Sequence, residues 1–218
     1  SDMSQALRQR IDATDAFAAD VSHELKNPIA SLRSALEGLG KIKDPALQAK
    51  LLDIAQDDVR RLDRLVTEIA EASRIDAQLS RAPFELVDLG RLVGRIARNQ
   101  PQRDNVPIVK VSYAGPGRGH IFVTGDAPRL GRVIENLIDN ARSFSPDGGR
   151  VRLLVEALGD KAQIAVEDEG PGVPEAEREA IFRRFHSVRP ERDGFGKHSG
   201  LGLAIARTIL EGHHGAIW

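Results

Sequence analysis

The histidine at position 23 opens the run H-E-L-K-N at positions 23–27, inside a segment with helical periodicity. Val21 and Leu25 lie on the apolar seam of that segment, so His23 is expected on the most exposed face of the helix. A carboxylate beside an imidazole, here that of Glu24, fixes the ring tautomer and raises the nucleophilicity of the other nitrogen. Asn27 lies one turn further on and shares the face of His23. These residue types indicate a reachable nucleophile; the alternative is an ordinary solvated histidine.

A second group of polar residues lies in the other half of the chain. Asn136 and Asn140 are four residues apart in a predicted helix, so we expect both on one face, away from the packed side. Asp168 comes directly after a predicted strand and before Gly170 and Gly172, which let a backbone approach a ligand closely. Each pattern alone is weak, because two surface amides or a tight turn would look the same.

The segment 184–199 combines basic residues with glycines: Arg189, Arg192, Lys197, Gly194 and Gly196. Cations attract phosphate groups without fixed geometry and glycines supply hinges, so the segment is interpreted as a lid. Gly200, Leu201 and Gly202 then open a predicted helix whose N-terminal amides suit a phosphate. The alternative is a solvated loop, and both descriptions can hold before a ligand binds.

The first element that must carry these residues is a long helix. Its apolar or small residues recur at alternating spacings of four and three, which is a heptad pattern: Leu7, Ile11, Thr14, Ala18, Val21, Leu25, Pro28, Leu32, Ala35 and Leu39. Asp44 followed by Pro45 predicts the N-cap and first residue of a second helix. The stripe of that helix is Leu52, Ala55, Val59, Leu62, Val66 and Ile69. An antiparallel hairpin leaves both stripes partly uncovered, so two copies joining into a four-helix bundle, a homodimer, are expected.

The periodicity changes near Phe84, where a second domain is predicted to begin. Short strands over 84–87, 107–113 and 120–124 alternate with helices that begin at Asp88 and Asp126. A hairpin follows over 151–157 and 162–168, then helices near 175–185 and 201–210. Interleaved helices and strands with hairpins predict an α/β sandwich rather than a doubly wound sheet.

The composition restricts the functions that the chain can have. The 31 Lys and Arg residues against 32 Asp and Glu give a formal net charge of −1, without bias toward nucleic acid. The chain has no cysteine, which excludes disulfides and thiolate zinc sites. No apolar run approaches the ~18 residues of a membrane span, so we expect a cytoplasmic piece whose only membrane contact is through segments outside this chain.

Five runs resemble the sequence boxes of sensor histidine kinases. FAADVSHELKNP at 17–28 is similar to the H box and ENLIDNA at 135–141 to the N box. DEGPGV at 168–173 is similar to the G1 box, IFRRF at 181–185 to the F box and SGLGL at 199–203 to the G2 box. They occur in the family order and cover essentially the whole chain. The runs from Asn140 and from His198 look most like the ChvG/ExoS type of envelope-sensing kinase.

For catalysis, the resemblance implies that His23 is the nucleophile that accepts the γ-phosphoryl group of ATP. Glu24 would be its base. Asn27 would help to orient the water that dephosphorylates a bound response regulator, whose aspartate receives the phosphoryl group from His23.

For cofactors, the resemblance implies ATP and Mg²⁺. Asn140 would bind the metal, Asn136 would support the phosphates, and Asp168 would accept a hydrogen bond from the exocyclic amine of adenine. The remaining nucleotide contacts would come from the boxes and the lid: Gly170, Gly172, Lys197, Ser199, Gly200, Leu201 and Gly202. Ser143 stands where many relatives have a basic residue, so Arg142 or a lid arginine is expected to supply the missing charge.

The resemblance also implies an organisation into two domains. Residues 3–80 would form the dimerisation and histidine phosphotransfer domain, and residues 84–218 a catalytic ATP-binding domain of the GHKL (Bergerat-type) fold. Family catalytic domains continue through at least one more strand beyond the position of Trp218. The chain would be the cytoplasmic portion of an inner-membrane sensor protein.

Two other functions are weighed against the kinase. GHKL-type ATPase clamps place a water-activating Glu at the position of Asn136, and an amide cannot act as a general base, although Glu135 is adjacent. A non-catalytic scaffold that binds nucleotide or nothing would not need His23, Glu24 and Asn27.

Overall fold

The computed structural model describes residues 2–78, 84–100, 106–114, 119–186 and 200–218, with backbone alone for 2–15, 71–72 and 74–78. The chain divides into two compact units. One comprises residues 1–73 and 184–201, and the other comprises residues 74–183 and 202–218. The domain boundaries 3–80 and 84–218 stay a prediction, because the residues 79–83 between them lie outside the described part.

The first unit contains two long helices, α1 (Asp2–Leu39) and α2 (Pro45–Gln78). Asp44 caps α2 as predicted, since its Oδ1 accepts a hydrogen bond from the Ala46 N–H at 2.9 Å. The helices approach closely beside the turn, where a Cβ on Gly38 would lie 2.9 Å from Leu51 Cδ1. This contact, between the end of α1 and the first turns of α2, is that of an antiparallel hairpin.

The predicted apolar seams are only partly covered within one hairpin. On α1, Pro28 and Ala35 are buried, whereas the side chains of Leu7, Ile11 and Thr14 lie outside the described residues. On α2, Ala55 is buried, but every seventh residue of the stripe stays about half exposed: Leu52 at 49%, Val59 at 53% and Val66 at 58%. Exposed Ile29 and Leu36 form a similar row on α1, seven residues apart.

The second unit contains five strands and three helices among its described residues. Its elements are β1 (Glu85–Asp88), α3 (Leu89–Arg98), β2 (Ile108–Ala114), β3 (Phe122–Gly125), α4 (Ala127–Phe144), β4 (Arg150–Leu158), β5 (Lys161–Glu167) and α5 (Gly202–Gly212). The predicted helix over 175–185 is wrong. That stretch forms two 3₁₀ turns, Glu175–Glu177 and Ala180–Phe182, because only Phe182 is buried in them and Arg183 is already extended.

Strand β4 is the centre of a three-stranded sheet, with β2 parallel on one side and β5 antiparallel on the other. Its inward residues Val151, Leu153 and Val155 are fully buried and join Ile134 and Ile138 of α4 in the core. Strands β1 and β3 form a separate two-stranded antiparallel sheet. Two helices followed by an α/β sandwich is the predicted fold class.

Candidate functional site

Helix α4 carries the two predicted amides on one face. Asp126 caps the helix by accepting a hydrogen bond from the Arg129 N–H at 3.1 Å. Asn136, Asn140 and Phe144 then recur every four residues and so form a row about 12 Å long at 1.5 Å per residue. The two ends of this row contact two different glycine-containing segments.

Asn136 contacts the first residue of α5. Its side chain is 8% exposed, and Nδ2 donates a hydrogen bond to the Gly202 carbonyl at 3.0 Å. We expected both amides to face away from the packed side of α4, and for Asn136 this is wrong, because α5 packs there as well. Asn136 thus fixes the start of α5 against α4.

Asn140 lies between the two ends of the row and is half-buried. Its backbone carbonyl accepts a hydrogen bond from Ser143 Oγ at 2.8 Å. Its carboxamide has no hydrogen-bond partner within the described part of the chain. An amide oxygen is a ligand that Mg²⁺ accepts, and Mg²⁺ takes most of its other ligands from water and phosphates.

The other end of the row contacts the turn that follows β5. Asp168 is exposed there, and its Oδ1 accepts a hydrogen bond from the Gly170 N–H at 2.8 Å. A Cβ on Gly170 would lie 2.7 Å from both Asp168 Oδ1 and the Phe144 carbonyl oxygen, so only glycine fits this close approach. Gly172 completes the exposed turn with a φ of 76°. Gly170, two residues after Asp168, therefore lies against Phe144, one helical turn of α4 beyond Asn140.

The structure places Arg142 away from this row. Its Nε and Nη2 donate to the Pro107 carbonyl at 3.2 and 3.1 Å, and its Nη1 donates to Gln100 Oε1 at 2.7 Å. Partial burial lowers the pKa of Arg142, and neighbouring Asp139 acts in the opposite direction. Arg142 lies two residues and about 200° around α4 from Asn140, and its binding of nucleotide stays a prediction.

The glycine segment at the Asn136 end of the row begins with Gly200 and Leu201, which belong to the first unit. The Phe185 N–H donates to the Gly200 carbonyl at 3.0 Å, and Gly200 has a φ of 72° that favours glycine. Leu201 is fully buried. Lys197, Ser199 and the rest of the predicted lid over 187–199 lie outside the described residues.

The face of α1 that carries His23 is exposed, as predicted, and Asn27 is exposed one turn further on. Pro28 is buried and has no N–H to donate to the carbonyl of Glu24, four residues earlier. No hydrogen bond joins Glu24 to His23 within the described residues. The role of Glu24 as the base for His23 stays a prediction.

Glu24 instead contacts the second helix. Its Oε2 accepts a hydrogen bond from Arg61 Nη2 at 3.3 Å, and the two side chains are 26% and 12% exposed. Glu24 is 17 residues before Lys41 and Arg61 is 17 after Asp44, and residues equally far from the turn of a hairpin lie opposite each other.

Comparisons with known protein families match both units. Residues 13–78 match the "His Kinase A (phospho-acceptor) domain", and residues 125–218 match "Histidine kinase-, DNA gyrase B-, and HSP90-like ATPase". The chain therefore belongs to the sensor histidine kinases of two-component systems and carries their phospho-acceptor and ATP-binding domains.

Individual relatives agree with this assignment. The chain is 43% identical to the sensor protein ChvG of Rhizobium meliloti over 99% of this chain and 38% of the relative, as expected from the ChvG/ExoS resemblance. A mycobacterial sensor histidine kinase, MprB, is 33% identical with a TM-score of 0.50, covering 61% of this chain and 82% of that one. The histidine kinase ThkA, solved in complex with the response regulator protein TrrA, has a TM-score of 0.69 at 24% identity, covering 95% and 57%.

The chain spans less than two fifths of the length of the ChvG relatives that it matches. None of the helices in the described residues is long and apolar enough to cross a membrane.

Proposed function

We propose that the chain is an ATP-dependent kinase core that phosphorylates itself on His23 and passes the phosphoryl group to an aspartate of a response regulator. The observation that carries this proposal is the row along α4. The Asp168 turn contacts one end of this row and the start of α5 at Gly202 contacts the other. Between them lies Asn140, whose carboxamide has no hydrogen-bond partner among the described residues. This order would suit a carboxylate that selects adenine, a metal ligand and a helix start that binds phosphate.

For the nucleotide, Asp168 would accept a hydrogen bond from the exocyclic amine of adenine, a donor that guanine lacks at that position. The Asp168 Oδ1 atom already bonds the Gly170 N–H, and Oδ2 makes no hydrogen bond in the described part. Asn140 would hold Mg²⁺, which neutralises the charge that develops on the phosphates when it is bound.

At His23, one imidazole nitrogen would form a bond to the γ-phosphorus while the bond from that phosphorus to the bridging oxygen breaks and ADP leaves. The proton on the other imidazole nitrogen would pass to Glu24. Arg61 occupies Oε2 of that carboxylate, which leaves Oε1 to receive the proton.

The assembly that we propose is a homodimer. Five apolar side chains on the hairpin are 45% to 58% exposed and recur at heptad spacing: Ile29, Leu36, Leu52, Val59 and Val66. A second hairpin with the same rows would bury them in a four-helix bundle. We also propose that the chain acts as the cytoplasmic part of a membrane-anchored sensor, since its ChvG relatives are more than twice its length.

An ATPase clamp is the second candidate, and two side chains argue against it. The buried amide of Asn136 cannot activate water. Glu135, its neighbour, is 47% exposed and pairs with Arg132 at 3.7 Å along its own helix. The row on α4 thus contains no carboxylate in place to act as a base.

The test is incubation of the full chain with γ-labelled ATP, with Mg²⁺ or with EDTA, followed by addition of a receiver domain. The kinase predicts a protein-bound label that needs Mg²⁺ and then moves to the receiver. Release of free phosphate without labelled protein would support the ATPase. No label and no release would leave a nucleotide-binding or inert scaffold.

A further inference from the structure

The side chain of Glu169, the residue between Asp168 and Gly170, contacts the start of strand β4. Glu169 Oε2 accepts a hydrogen bond from the Arg150 N–H at 3.1 Å, and Oε1 lies 3.3 Å from Arg150 Nε. Arg150 is the first residue of β4. The side chain of Glu169 therefore joins the Asp168 turn to the start of the central strand.

The backbone of Glu169 is joined to α4. Its N–H donates to Ser145 Oγ at 3.4 Å, and the same hydroxyl donates to the Ala141 carbonyl at 2.9 Å. A hydroxyl can donate and accept at once, so Ser145 connects the turn to the last turn of α4. Ala141 follows Asn140 directly, so the connection ends beside the proposed metal ligand.

The neighbouring Glu167–Arg152 ion pair differs from the Glu169–Arg150 pair in its position relative to the sheet. Glu167 pairs with Arg152 at 3.0 Å, but these residues already face each other in the β4–β5 ladder. Strand β5 ends at Glu167, so Glu169 lies beyond the ladder hydrogen bonds. Its own contacts, rather than the sheet, hold the turn there.

We propose that Glu169 and Ser145 are positioning residues that fix the Asp168 carboxylate relative to Asn140. Neither touches nucleotide; together they set the spacing between the base-selecting and metal-binding groups. This inference rests on the proposed nucleotide site.

The test compares Glu169→Ala and Ser145→Ala with the matched control Glu167→Ala in the full chain. We expect each test variant to weaken Mg²⁺–ATP binding by about fivefold to tenfold, which is the effect of losing one hydrogen bond. The ratio of ATP affinity to GTP affinity should also fall. KM for ATP should rise while kcat at saturating ATP changes little. Glu169→Gln and Ser145→Thr keep an acceptor and a hydroxyl, so both should restore most of the affinity.

Titration calorimetry and melting temperatures separate the outcomes. If wild type binds no ATP, the proposed function itself fails. If wild type binds ATP but both test variants bind it like Glu167→Ala, the positioning role is overturned. A third outcome is weaker ATP binding with an unchanged ratio of ATP to GTP affinity and a lowered melting temperature that the conservative variants do not restore. That outcome would show a merely structural role for Glu169 and Ser145, and it would also overturn the proposed positioning role.

Discussion

Arg61 of α2 donates a hydrogen bond to the carboxylate of Glu24, the residue after the proposed phospho-acceptor, at 3.3 Å. Both side chains are mostly buried, so water screens this pair less than a surface pair. A pair at this position connects the two helices of the hairpin next to His23. Its strength decides how firmly the proposed base is held.

A double-mutant cycle measures that strength. Glu24→Ala, Arg61→Ala and the double variant should give a coupling free energy of about 1 kcal/mol in urea unfolding followed by helical circular dichroism. The control is the Asp57–Arg60 pair of α2, whose side chains are 76% and 64% exposed and whose coupling should be a few tenths of a kcal/mol at most. Equal coupling in the two cycles would show that the Glu24 pair is not held more firmly than a solvated one.

Asp168→Asn should weaken ATP binding by about tenfold or more, because an amide can present a donor where adenine also donates and the charged acceptor is lost. Selectivity for ATP over GTP should fall with it. Calorimetric titration checks both quantities. Glu167→Gln, an exposed carboxylate at the end of the same strand, is the control and should leave the affinity unchanged. Unchanged affinity in Asp168→Asn would remove this residue from the site.

Val66→Asp should weaken the proposed dimer, because it places an unpaired charge in an apolar row. Light scattering at micromolar concentration should give twice the 23.8 kDa chain mass for wild type and a lower mass for the variant. Thr67→Asp adds the same charge one residue outside the row and should stay dimeric. A wild-type chain that is monomeric under these conditions contradicts the proposed assembly.

Asn27→Ala should reduce dephosphorylation of a bound response regulator much more than autophosphorylation. An amide can both donate to and accept from the attacking water, and alanine can do neither. Both rates are measured on the variant, with Ser34→Ala as a control on the same face of α1. Equal losses of both rates with a lowered melting temperature would show that Asn27 only supports the helix beside Pro28.

Local signals in the sequence predicted much of this fold. Asp44, Asp88 and Asp126 each accept a hydrogen bond from a backbone N–H at the start of the next helix, because capping depends only on neighbouring residues. The two long helices and the exposure of His23 follow from the heptad pattern. The box order identified the family before any contact was known.

Tertiary contacts account for what the local patterns did not predict. Burial of Asn136 depends on α5, which is more than 60 residues away in the chain. The hydrogen bond from Arg142 to the Pro107 carbonyl depends on the path of the loop before β2, which no local sequence pattern specifies. The Arg61–Glu24 pair joins two helices, and a local pattern cannot show a partner on another helix. Glu169 and Ser145 were missed since neither has a signal beyond its place beside a box.

The central claim is that His23 receives the phosphoryl group of ATP. The direct measurement is labelling of the full chain with γ-labelled ATP and Mg²⁺, followed by acid and alkali treatment of wild type, His23→Gln and His120→Gln. His120 is the control because its side chain is 72% exposed and it lies in the other unit. We predict an acid-labile, alkali-stable label in wild type and His120→Gln and none in His23→Gln. A label that survives acid, or that persists in His23→Gln, would contradict the account.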